Sequence, residues 1–399
     1  MIKSRKPVVL VFPFDLLSHY TRCIQLAQSI QDEFDISFNS SKKYDVLVKE
    51  AGFKTFTCDS FDAREVMDDS RKFKFDWLNY NNLKRVFLAQ VKVIEDLKPT
   101  AVFADTAPTL KMAAEYTNTL HISLMNGYLT KYYAKTRTIS KDHPAAQYQD
   151  RLPEGVFDRM TRIGEYVAFT VIERAFYKLR KEFKLGKKKY YLDELEGDIN
   201  YICDDPDLFP QNNLPENYHI IGPLYYHSKK KEPEIQRTIE NGIPTLLVNM
   251  GSSGDLHHFS FLNYPEFLGY NIIITGGQND VIQGKNVIYK KFINNSAVLD
   301  HVDLVLCHGG NGTIYQSLAY GVPVVCATSI FEQEWNAHRV QELNYGVCLD
   351  KVKSTEEKLK IVQAWLGKKH TNQFKAIKQK VDVFKSINTF RESWIRDVG

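Results

Sequence analysis

Residues 302–346 have the sequence VDLVLCHGGNGTIYQSLAYGVPVVCATSIFEQEWNAHRVQELNYG. The apolar run at 302–307, with its β-branched residues, predicts a buried strand. A glycine-rich turn at 308–313 ends this strand and opens a helix over 314–320. A second apolar run at 322–327 predicts another buried strand. Buried strands that alternate with helices predict a parallel, doubly wound sheet.

The glycine-rich turn has the composition of a phosphate site. Three glycines in four positions let a ligand approach the backbone closely. The helix that follows presents N–H groups and a partial positive charge at its N-terminus. One helix and one strand later come the polar residues Glu332, Gln333 and Asn336. Since ligands of open α/β sheets bind at the carboxyl ends of strands, we expect a pyrophosphate site beside groups that bind hydroxyls.

Composition excludes several classes of protein. The chain has 399 residues, of which 43% are hydrophobic and 25% are charged, as in soluble globular proteins of about two domains. A net charge of +4 is too small to indicate nucleic-acid binding. The six cysteines form no CxxC pair, which argues against a disulfide framework or a zinc site. No apolar run reaches the length of a membrane span, and we expect a cytoplasmic protein.

The first half of the chain also alternates strands with helices. Strands are predicted at 8–14, 36–38, 53–57, 101–104, 121–124, 201–203 and 219–221, and helices at 18–30, 44–51, 77–97 and 108–116. Residues 131–195 differ, because their pattern predicts helix with little strand. One apolar face of this helix is predicted to consist of Phe157, Met160, Ile163, Val167, Ile172, Phe176 and Leu179.

A polar, charged segment at 226–243 predicts a linker. A second series of strands and helices follows it. Its strands are predicted at 245–249, 271–275, 287–289, 302–307, 322–327 and 347–349, with later helices at 358–366 and 373–384. The chain therefore contains two doubly wound halves.

The opening stretch resembles the donor-binding signature of the family 1 glycosyltransferases, which include the UDP-glycosyltransferase-like and macrolide glycosyltransferase-like enzymes. The matching residues, in order, are His308, Gly310, Thr313, Gly321-Val322-Pro323, Glu332-Gln333 and Asn336. Two positions depart from the family pattern. Gln316 stands where the family usually has a Glu that grips the ribose, and Glu332 stands where many members have Asp.

The resemblance covers nearly the whole chain and implies the α/β GT-B fold, with two doubly wound Rossmann-like domains facing a cleft. It implies an N-terminal acceptor-binding domain at 1–225 with a helical lid or insert at 131–195, and a linker at 226–243. A C-terminal nucleotide-sugar-binding domain would span 244–385. A final helix at 386–399, anchored by Trp394, would pack back on the N-terminal domain.

His19 and Asp105 are the predicted catalytic pair. Histidine is the residue type best suited to take a proton from a hydroxyl near neutral pH. Ser18-His19, followed by Leu26-Ala27, matches the Gly-His…Leu-Ala pattern that carries the family's catalytic base. A carboxylate at Asp105, after the strand at 101–104, could hold the imidazole in one tautomer. The alternative for Asp105 is a helix N-cap.

The remaining predicted site residues bind the donor. Gly251, Ser252 and Ser253 match the family's Gly-Ser turn, which would contact the pyrophosphate. Phe292, Ile293 and Asn295 lie where the family has a Trp-x-Pro-Gln that stacks on the base, although a core aromatic fits Phe292 nearly as well. The glycine-rich turn contributes His308, Gly310, Asn311, Gly312 and Thr313, and its helix contributes Gln316. Glu332, Gln333 and Asn336 would bind sugar hydroxyls.

No metal or other cofactor is predicted, since the nucleotide diphosphate sugar is a co-substrate. Asp205-Pro206-Asp207 resembles a DxD metal motif of another glycosyltransferase fold, but Pro206 favours a turn. Residues 174–191 are basic and could touch an anionic membrane surface. A solvated helix face is the commoner role of such a run, and we favour it at this point. The sequence leaves the oligomeric state open.

The sequence thus favours an inverting, metal-independent transfer of sugar from a UDP-sugar, or a TDP-sugar, to a hydroxyl of a small-molecule or lipid acceptor. Three alternatives stay open. They are another GT-B enzyme, such as a sugar-nucleotide epimerase or a lipid-linked sugar transferase, a catalytically silent GT-B partner protein, and a two-domain oxidoreductase. The absence of GxGxxG after the first strand counts against the oxidoreductase.

Overall fold

A computed structural model of the chain describes residues 6–72, 74–149, 151–251, 254–276 and 281–399. The chain divides into two units, one formed by Met1–Leu224 with Phe384–Gly399 and the other by Tyr225–Val383. Each unit is built on its own parallel sheet. The predicted α/β GT-B class is confirmed by this architecture and by the structural neighbours described below.

The first unit contains a sheet of seven strands. These are β1 (Val8–Pro13), β2 (Asp35–Asn39), β3 (Lys54–Phe56), β4 (Ala101–Asp105), β5 (Leu120–Met125), β6 (Ile199–Ile202) and β7 (Tyr218–Ile220). Their order is β3-β2-β1-β4-β5-β6-β7, so the direction of winding reverses between β1 and β4. The helices of this part are α1 (Leu17–Ile30), α2 (Asp45–Glu50), α3 (Ala63–Arg71), α4 (Tyr80–Leu97), α5 (Leu110–Thr117) and α6 (Glu154–Glu182).

The second unit contains a sheet of six strands. These are β8 (Thr245–Asn249), β9 (Asn271–Thr275), β10 (Val287–Lys290), β11 (Leu304–Cys307), β12 (Val324–Cys326) and β13 (Gly346–Cys348). Their order is β10-β9-β8-β11-β12-β13, with the reversal between β8 and β11. Its helices are α7 (Pro233–Ile239), α8 (Asn311–Ala319), α9 (Phe331–Glu342), α10 (Thr355–Leu366) and α11 (Asn372–Lys380).

The last helix of the chain, α12 (Val383–Val398), belongs largely to the first unit. Trp394 is fully buried there. Its ring packs against Phe34, Phe103 and Tyr201, with ring centroids 5.4–6.2 Å apart. Aromatic burial of this kind is among the largest single contributions a side chain makes to packing. Trp394 therefore fixes the C-terminal helix on the sheet of the first unit.

The predicted strands and helices are present among the described residues, with ends that shift by a few residues, but helices α3 and α7 were not predicted. Helix α3 begins after Asp62, whose side chain accepts hydrogen bonds from the backbone N–H groups of Arg64 and Glu65. An N-cap aspartate was the available signal. Helix α7 lies inside the segment predicted as a linker, and it begins with Pro233 in its first turn, a position proline favours.

The predicted apolar face of residues 131–195 is wrong. Phe157, Phe176 and Leu179 are buried in α6, but Met160 and Ile163 are more than half exposed. The prediction combined residues from two sides of the helix. At 3.6 residues per turn, positions 160 and 163 share a stripe that points away from the buried one. In the described residues, no helix combines the length and hydropathy that a membrane span requires.

Candidate active site

His19 and Asp105 lie side by side at the reversal point of the first sheet. β1 and β4 are parallel neighbours, with Pro13 paired with Asp105 at their carboxyl ends. His19 lies in the first turn of α1, directly after β1. Its Nδ1 is 2.9 Å from Oδ1 of Asp105. Ligands of doubly wound sheets bind at such reversal points.

The proton of the His19–Asp105 hydrogen bond can be assigned from charge. Asp105 is fully buried and ionised, so its oxygens only accept, and Nδ1 of His19 must carry the hydrogen. Nε2 is then the acceptor nitrogen and is the atom that can take a proton from a hydroxyl. The ring of Phe14 meets the imidazole edge to face at 5.7 Å and helps to hold its orientation.

Arg22 is a member of this site that the sequence analysis missed. Its Nε and Nη2 donate to the two oxygens of Asp105, each at 2.5 Å. Its Nη1 donates to Oδ1 of Asn126 at 3.1 Å. Arg22 is buried and lies one turn after His19 on α1. The available signal was an arginine on the inward side of an amphipathic helix, since buried arginines are nearly always paired.

The electrostatics of the site follow from the arginine. Burial alone would raise the pKa of the Asp105 carboxyl, but the charges of Arg22 and His19 hold that pKa well below its usual range. Burial would likewise lower the pKa of the Arg22 guanidinium, and Asp105 more than offsets this. Each of these charges therefore favours the ionised form of the other group. Asp105 does not cap a helix, because α5 begins at Leu110 with Thr109 as its N-cap, so the N-cap alternative is wrong.

Thr106, the residue after Asp105, adopts a left-handed backbone conformation with φ of 57°. β-branched residues rarely occupy this region, and doing so costs about 1–3 kcal/mol. The hydroxyl of Thr106 donates to Asp105 Oδ1 at 3.4 Å. Strained backbone of this kind persists only where the surrounding structure enforces it. In this protein the strained residue directly follows the carboxylate at the end of β4.

Two of the predicted donor-binding turns meet at the reversal point of the second sheet. β8 and β11 pair in parallel, with Asn249 beside Cys307, so the turns after both strands are neighbours. Gly251 has a φ of 55°, and a Cβ there would lie 2.7 Å from the imidazole of His308. Ser252 and Ser253, which complete the predicted turn, lie outside the described residues.

His308 is a neutral, buried residue of this turn. Burial lowers its pKa to about 4, although a hydrogen bond to the carbonyl of Asn249, at 3.4 Å from Nδ1, opposes the shift. A Cβ on Gly310 would lie 2.5 Å from Nε2 of His308, so the imidazole fills the space that the glycine leaves. His308 therefore supplies no positive charge for a phosphate and instead shapes the turn.

The first turn of α8 presents its half-buried residues Asn311, Gly312 and Thr313 beside His308. Gly310 is the N-cap residue and has no side chain to occupy the N–H groups of this turn. Asn336 on α9 is buried, and its Nδ2 donates to the carbonyl of Gly309 at 3.0 Å. Glu332, Gln333 and Asn336 all lie in the first half of α9. Asn336 thus positions the glycine turn rather than facing outward.

Gln316 and Asn295 contact each other. Nδ2 of Asn295 donates to Oε1 of Gln316 at 3.1 Å. Nε2 of Gln316 donates to the carbonyl of Tyr226 at 2.8 Å and to the hydroxyl of Ser296 at 3.0 Å. The amide that was expected to bind a ribose is therefore largely occupied by protein partners. Phe292 is 61% exposed, so the core-aromatic alternative is wrong, while its neighbour Ile293 is buried.

Comparison with solved structures supports the fold. The calicheamicin glycosyltransferase superposes on the chain with a TM-score of 0.71 and 16% sequence identity. The match covers 99% of this chain and 98% of that one. At this identity the likeness concerns the fold alone.

Comparison of sequences supports the activity. The glycosyltransferase family 28 C-terminal domain matches residues 268–389. A PGL/p-HBAD biosynthesis glycosyltransferase of Mycobacterium tuberculosis is 24% identical over 357 residues, which cover 87% of this chain and 82% of that protein. A PGL/p-HBAD biosynthesis rhamnosyltransferase of Mycobacterium bovis is 22% identical, covering 86% of this chain and 77% of that protein. The chain is a GT-B glycosyltransferase.

Each unit of the glycosyltransferase contains one cluster of candidate residues. His19, Asp105 and Arg22 form the first, and the turns around His308 form the second. Asn295, Gln316 and Phe292 lie in the second unit, but the two amides are engaged with each other. A proton acceptor beside a carboxylate is suited to the deprotonation of a hydroxyl.

Asp205 of the glycosyltransferase serves a turn, as its sequence suggests. Its Oδ1 accepts hydrogen bonds from the backbone N–H groups of Asp207 at 2.8 Å and Leu208 at 3.3 Å. Among the residues that the structure describes, no group of three or more His, Cys, Asp or Glu side chains is arranged to hold a metal ion.

Proposed function

We propose that this glycosyltransferase catalyses inverting, metal-independent transfer of a sugar from a nucleotide diphosphate sugar to an acceptor hydroxyl. Nε2 of His19 takes the proton of the hydroxyl as its oxygen attacks the anomeric carbon. Attack from the face opposite the nucleotide inverts the configuration of that carbon. The single observation that carries the proposal is the 2.9 Å contact between His19 and Asp105 at the reversal point of the first sheet.

Asp105 stabilises the imidazolium that forms on His19 and keeps the hydrogen of the neutral ring on Nδ1. The ionised, buried state of Asp105 supports this role, because only the carboxylate has the negative charge that stabilises an imidazolium. Arg22 keeps Asp105 ionised and fixes the orientation of its carboxylate through two hydrogen bonds. A general base of this kind typically contributes about 10²–10⁴-fold to the rate.

The donor is a UDP-sugar in our proposal, with a TDP-sugar as the second choice. The N-terminal turn of α8, with Thr313 and the backbone at 310–312, would stabilise the departing diphosphate where its charge develops. Phe292 is exposed and free to stack on a base. Glu332 and Gln333 would bind sugar hydroxyls, although Gln316 is less available to the ribose than its position suggests.

The acceptor is a small molecule or a lipid in our proposal. The relatives are named for PGL/p-HBAD biosynthesis and the structural neighbour for calicheamicin, which supports a natural product or a lipid. Acceptor identity depends on the individual site rather than on the fold.

A panel of UDP- and TDP-sugars tested by thermal shift would identify the donor, because ligands that bind the native state raise the melting temperature by mass action. Mass spectrometry of reactions with hydroxyl acceptors should then show addition of one sugar, and NMR should show the inverted anomer. Stabilisation by nucleotides without transfer or donor hydrolysis would indicate a catalytically silent protein. A sugar nucleotide that changes configuration without being transferred would indicate an epimerase.

A further inference from the structure

Helix α6 carries an exposed apolar stripe. Its members recur every three or four residues and are 49–58% exposed: Val156, Met160, Ile163, Val167 and Val171. This spacing places them on one side of the helix. Contiguous exposed apolar patches are uncommon on soluble proteins and usually mark interaction surfaces. We refer to these five residues as the α6 stripe.

The α6 stripe lies on the side of the helix opposite to the one that packs on the first unit. Phe169, Phe176 and Leu179 of the same helix are buried in the core of the first unit, together with residues of β1, β4 and α4. The helix is therefore already anchored on its opposite side. Burial of the α6 stripe would need something other than this core.

The same side of the helix becomes basic towards its C-terminus. Three exposed basic residues lie on the same side of the helix as the α6 stripe, and these are Arg174, Lys178 and Lys181. Exposed lysines follow at 184, 187 and 189. The sequence of residues 174–189 contains one acid, Glu182, which already pairs with Lys84 at 2.6 Å. A strongly positive surface thus adjoins an apolar one.

Two tyrosines flank this surface. Tyr166 is 57% and Tyr177 is 43% exposed. Tyrosine has an apolar ring and a polar tip and is enriched at the boundary between lipid and water. An amphipathic helix with apolar residues beside a lysine- and arginine-rich part lies in the plane of a bilayer surface.

We propose that the exposed face of α6 docks on an anionic lipid bilayer. The α6 stripe would enter the headgroup region. The exposed cations would lie against lipid phosphates, and these are Arg174, Lys178, Lys181, Lys184, Lys187 and Lys189. Charge favours a bilayer over a second copy of the chain. A second copy would bring the same excess of cations, whereas an anionic bilayer offers both apolar and negative surface. Docking concerns the surface of the enzyme and does not depend on which donor it uses.

Co-sedimentation of the full chain with vesicles tests this proposal without any measure of activity. Vesicles of phosphatidylcholine alone would be compared with vesicles that contain about one third phosphatidylglycerol. We expect binding to the anionic vesicles that decreases when salt is raised, since surface charges are screened. The double variant Arg174→Gln/Lys181→Gln should bind about 25-fold more weakly, because each basic residue near an anionic surface contributes about fivefold.

Apolar variants test the stripe itself. Met160→Glu/Ile163→Glu changes two exposed positions and should bind anionic vesicles at least about tenfold more weakly, because burying charge in the headgroup boundary opposes insertion. Val46→Glu is the matched control, since Val46 is 64% exposed on α2, and it should bind as the unchanged protein does.

Two outcomes would overturn the proposal. One is anionic-vesicle binding that is absent or that the variants leave unchanged. The other is light scattering that shows a dimer dissociated by Met160→Glu/Ile163→Glu, with no vesicle binding by the unchanged protein, because the stripe would then bind a second copy. The charge variants alter only exposed residues, so they remain informative if the apolar double variant does not fold.

Discussion

Arg22 binds Asp105 through two hydrogen bonds in the interior of the first unit, with both N–O distances at 2.5 Å. The carboxylate that supports His19 is therefore shared with a permanent cation. Nη2 of Arg22 lies 3.2 Å from Nδ1 of His19, because both donate to the same oxygen of Asp105. A proton gained by His19 then creates an imidazolium beside a guanidinium. Arg22 thus orients Asp105 but opposes the charge that the base acquires.

Replacing Arg22 should weaken both the fold and transfer through Asp105. Arg22→Met leaves the buried carboxylate of Asp105 without its cation, which typically costs about 3–5 kcal/mol of stability. It also removes the two hydrogen bonds that orient this carboxylate. Arg22→Lys retains the charge without the bidentate geometry and should lose less of both. Urea unfolding and initial rates measure the two effects, and equal values in all three proteins would show that Arg22 does not support Asp105.

Removing the charge of Asp105 should cost both stability and activity. Asp105→Asn leaves Arg22 buried without its partner, which typically costs about 3–5 kcal/mol. The asparagine amide can also donate to Nδ1, which would put the hydrogen of the imidazole on Nε2 and remove the base. Transfer should fall by about 10²–10⁴-fold. Urea unfolding and initial rates measure the two effects.

The stability effect of Asp105→Asn should depend on pH in a defined direction. The pKa of Asp105 is lower in the folded state than its ordinary value of 3.8, so its contribution to stability is present above that value. The contribution is lost progressively as pH falls below it. Asp105→Asn should accordingly be most destabilising at pH 7 and less so at pH 3. A difference that grows towards acidic pH would contradict the assignment of Asp105 as an ionised partner.

Two glycines of the α8 turn should respond differently to alanine. A Cβ at Gly310 would lie 2.5 Å from His308 Nε2, whereas one at Gly312 would meet nothing within 4 Å. Gly310→Ala should displace the imidazole and weaken nucleotide diphosphate binding by about tenfold or more. Gly312→Ala should fold normally and stabilise α8 slightly, since alanine is the better helix former. Isothermal titration with UDP and TDP distinguishes the two, and equal affinities would disprove the shaping role of His308.

Gln316→Glu should not restore a typical family site. The amide of Gln316 donates to the carbonyl of Tyr226, and a carboxylate there would face that oxygen without a hydrogen. Loss of a buried hydrogen bond with an acceptor left unpaired costs about 1–3 kcal/mol. We expect a lower melting temperature and no gain in donor affinity. Gln316→Glu that binds a UDP-sugar more tightly at unchanged stability would show that the residue faces the donor.

The sequence predicted the two sheets well, because buried parallel strands are continuous apolar runs that turns and helices separate. The family resemblance also paired His19 with Asp105, and the structure shows that they meet because the carboxyl ends of neighbouring strands carry both. Arg22 was missed because its partners, Asp105 and Asn126, are 83 and 104 residues away in the sequence. Residues from two sides of α6 were predicted to share one apolar face, because apolar spacing alone does not tell a buried side of a helix from an exposed one. The amide of Gln316 donates its hydrogen bonds to Tyr226 and Ser296. These partners are distant in the sequence, so no local pattern could predict them.

The central claim is that His19 is the general base of sugar transfer. Single-turnover transfer by His19→Ala, measured beside nucleotide diphosphate binding by titration, tests it most directly. We predict that transfer falls by about 10²–10⁴-fold while the affinity for the nucleotide diphosphate is unchanged, because the two functions belong to different clusters. Transfer at the rate of the unchanged enzyme, with binding intact, would contradict the claim.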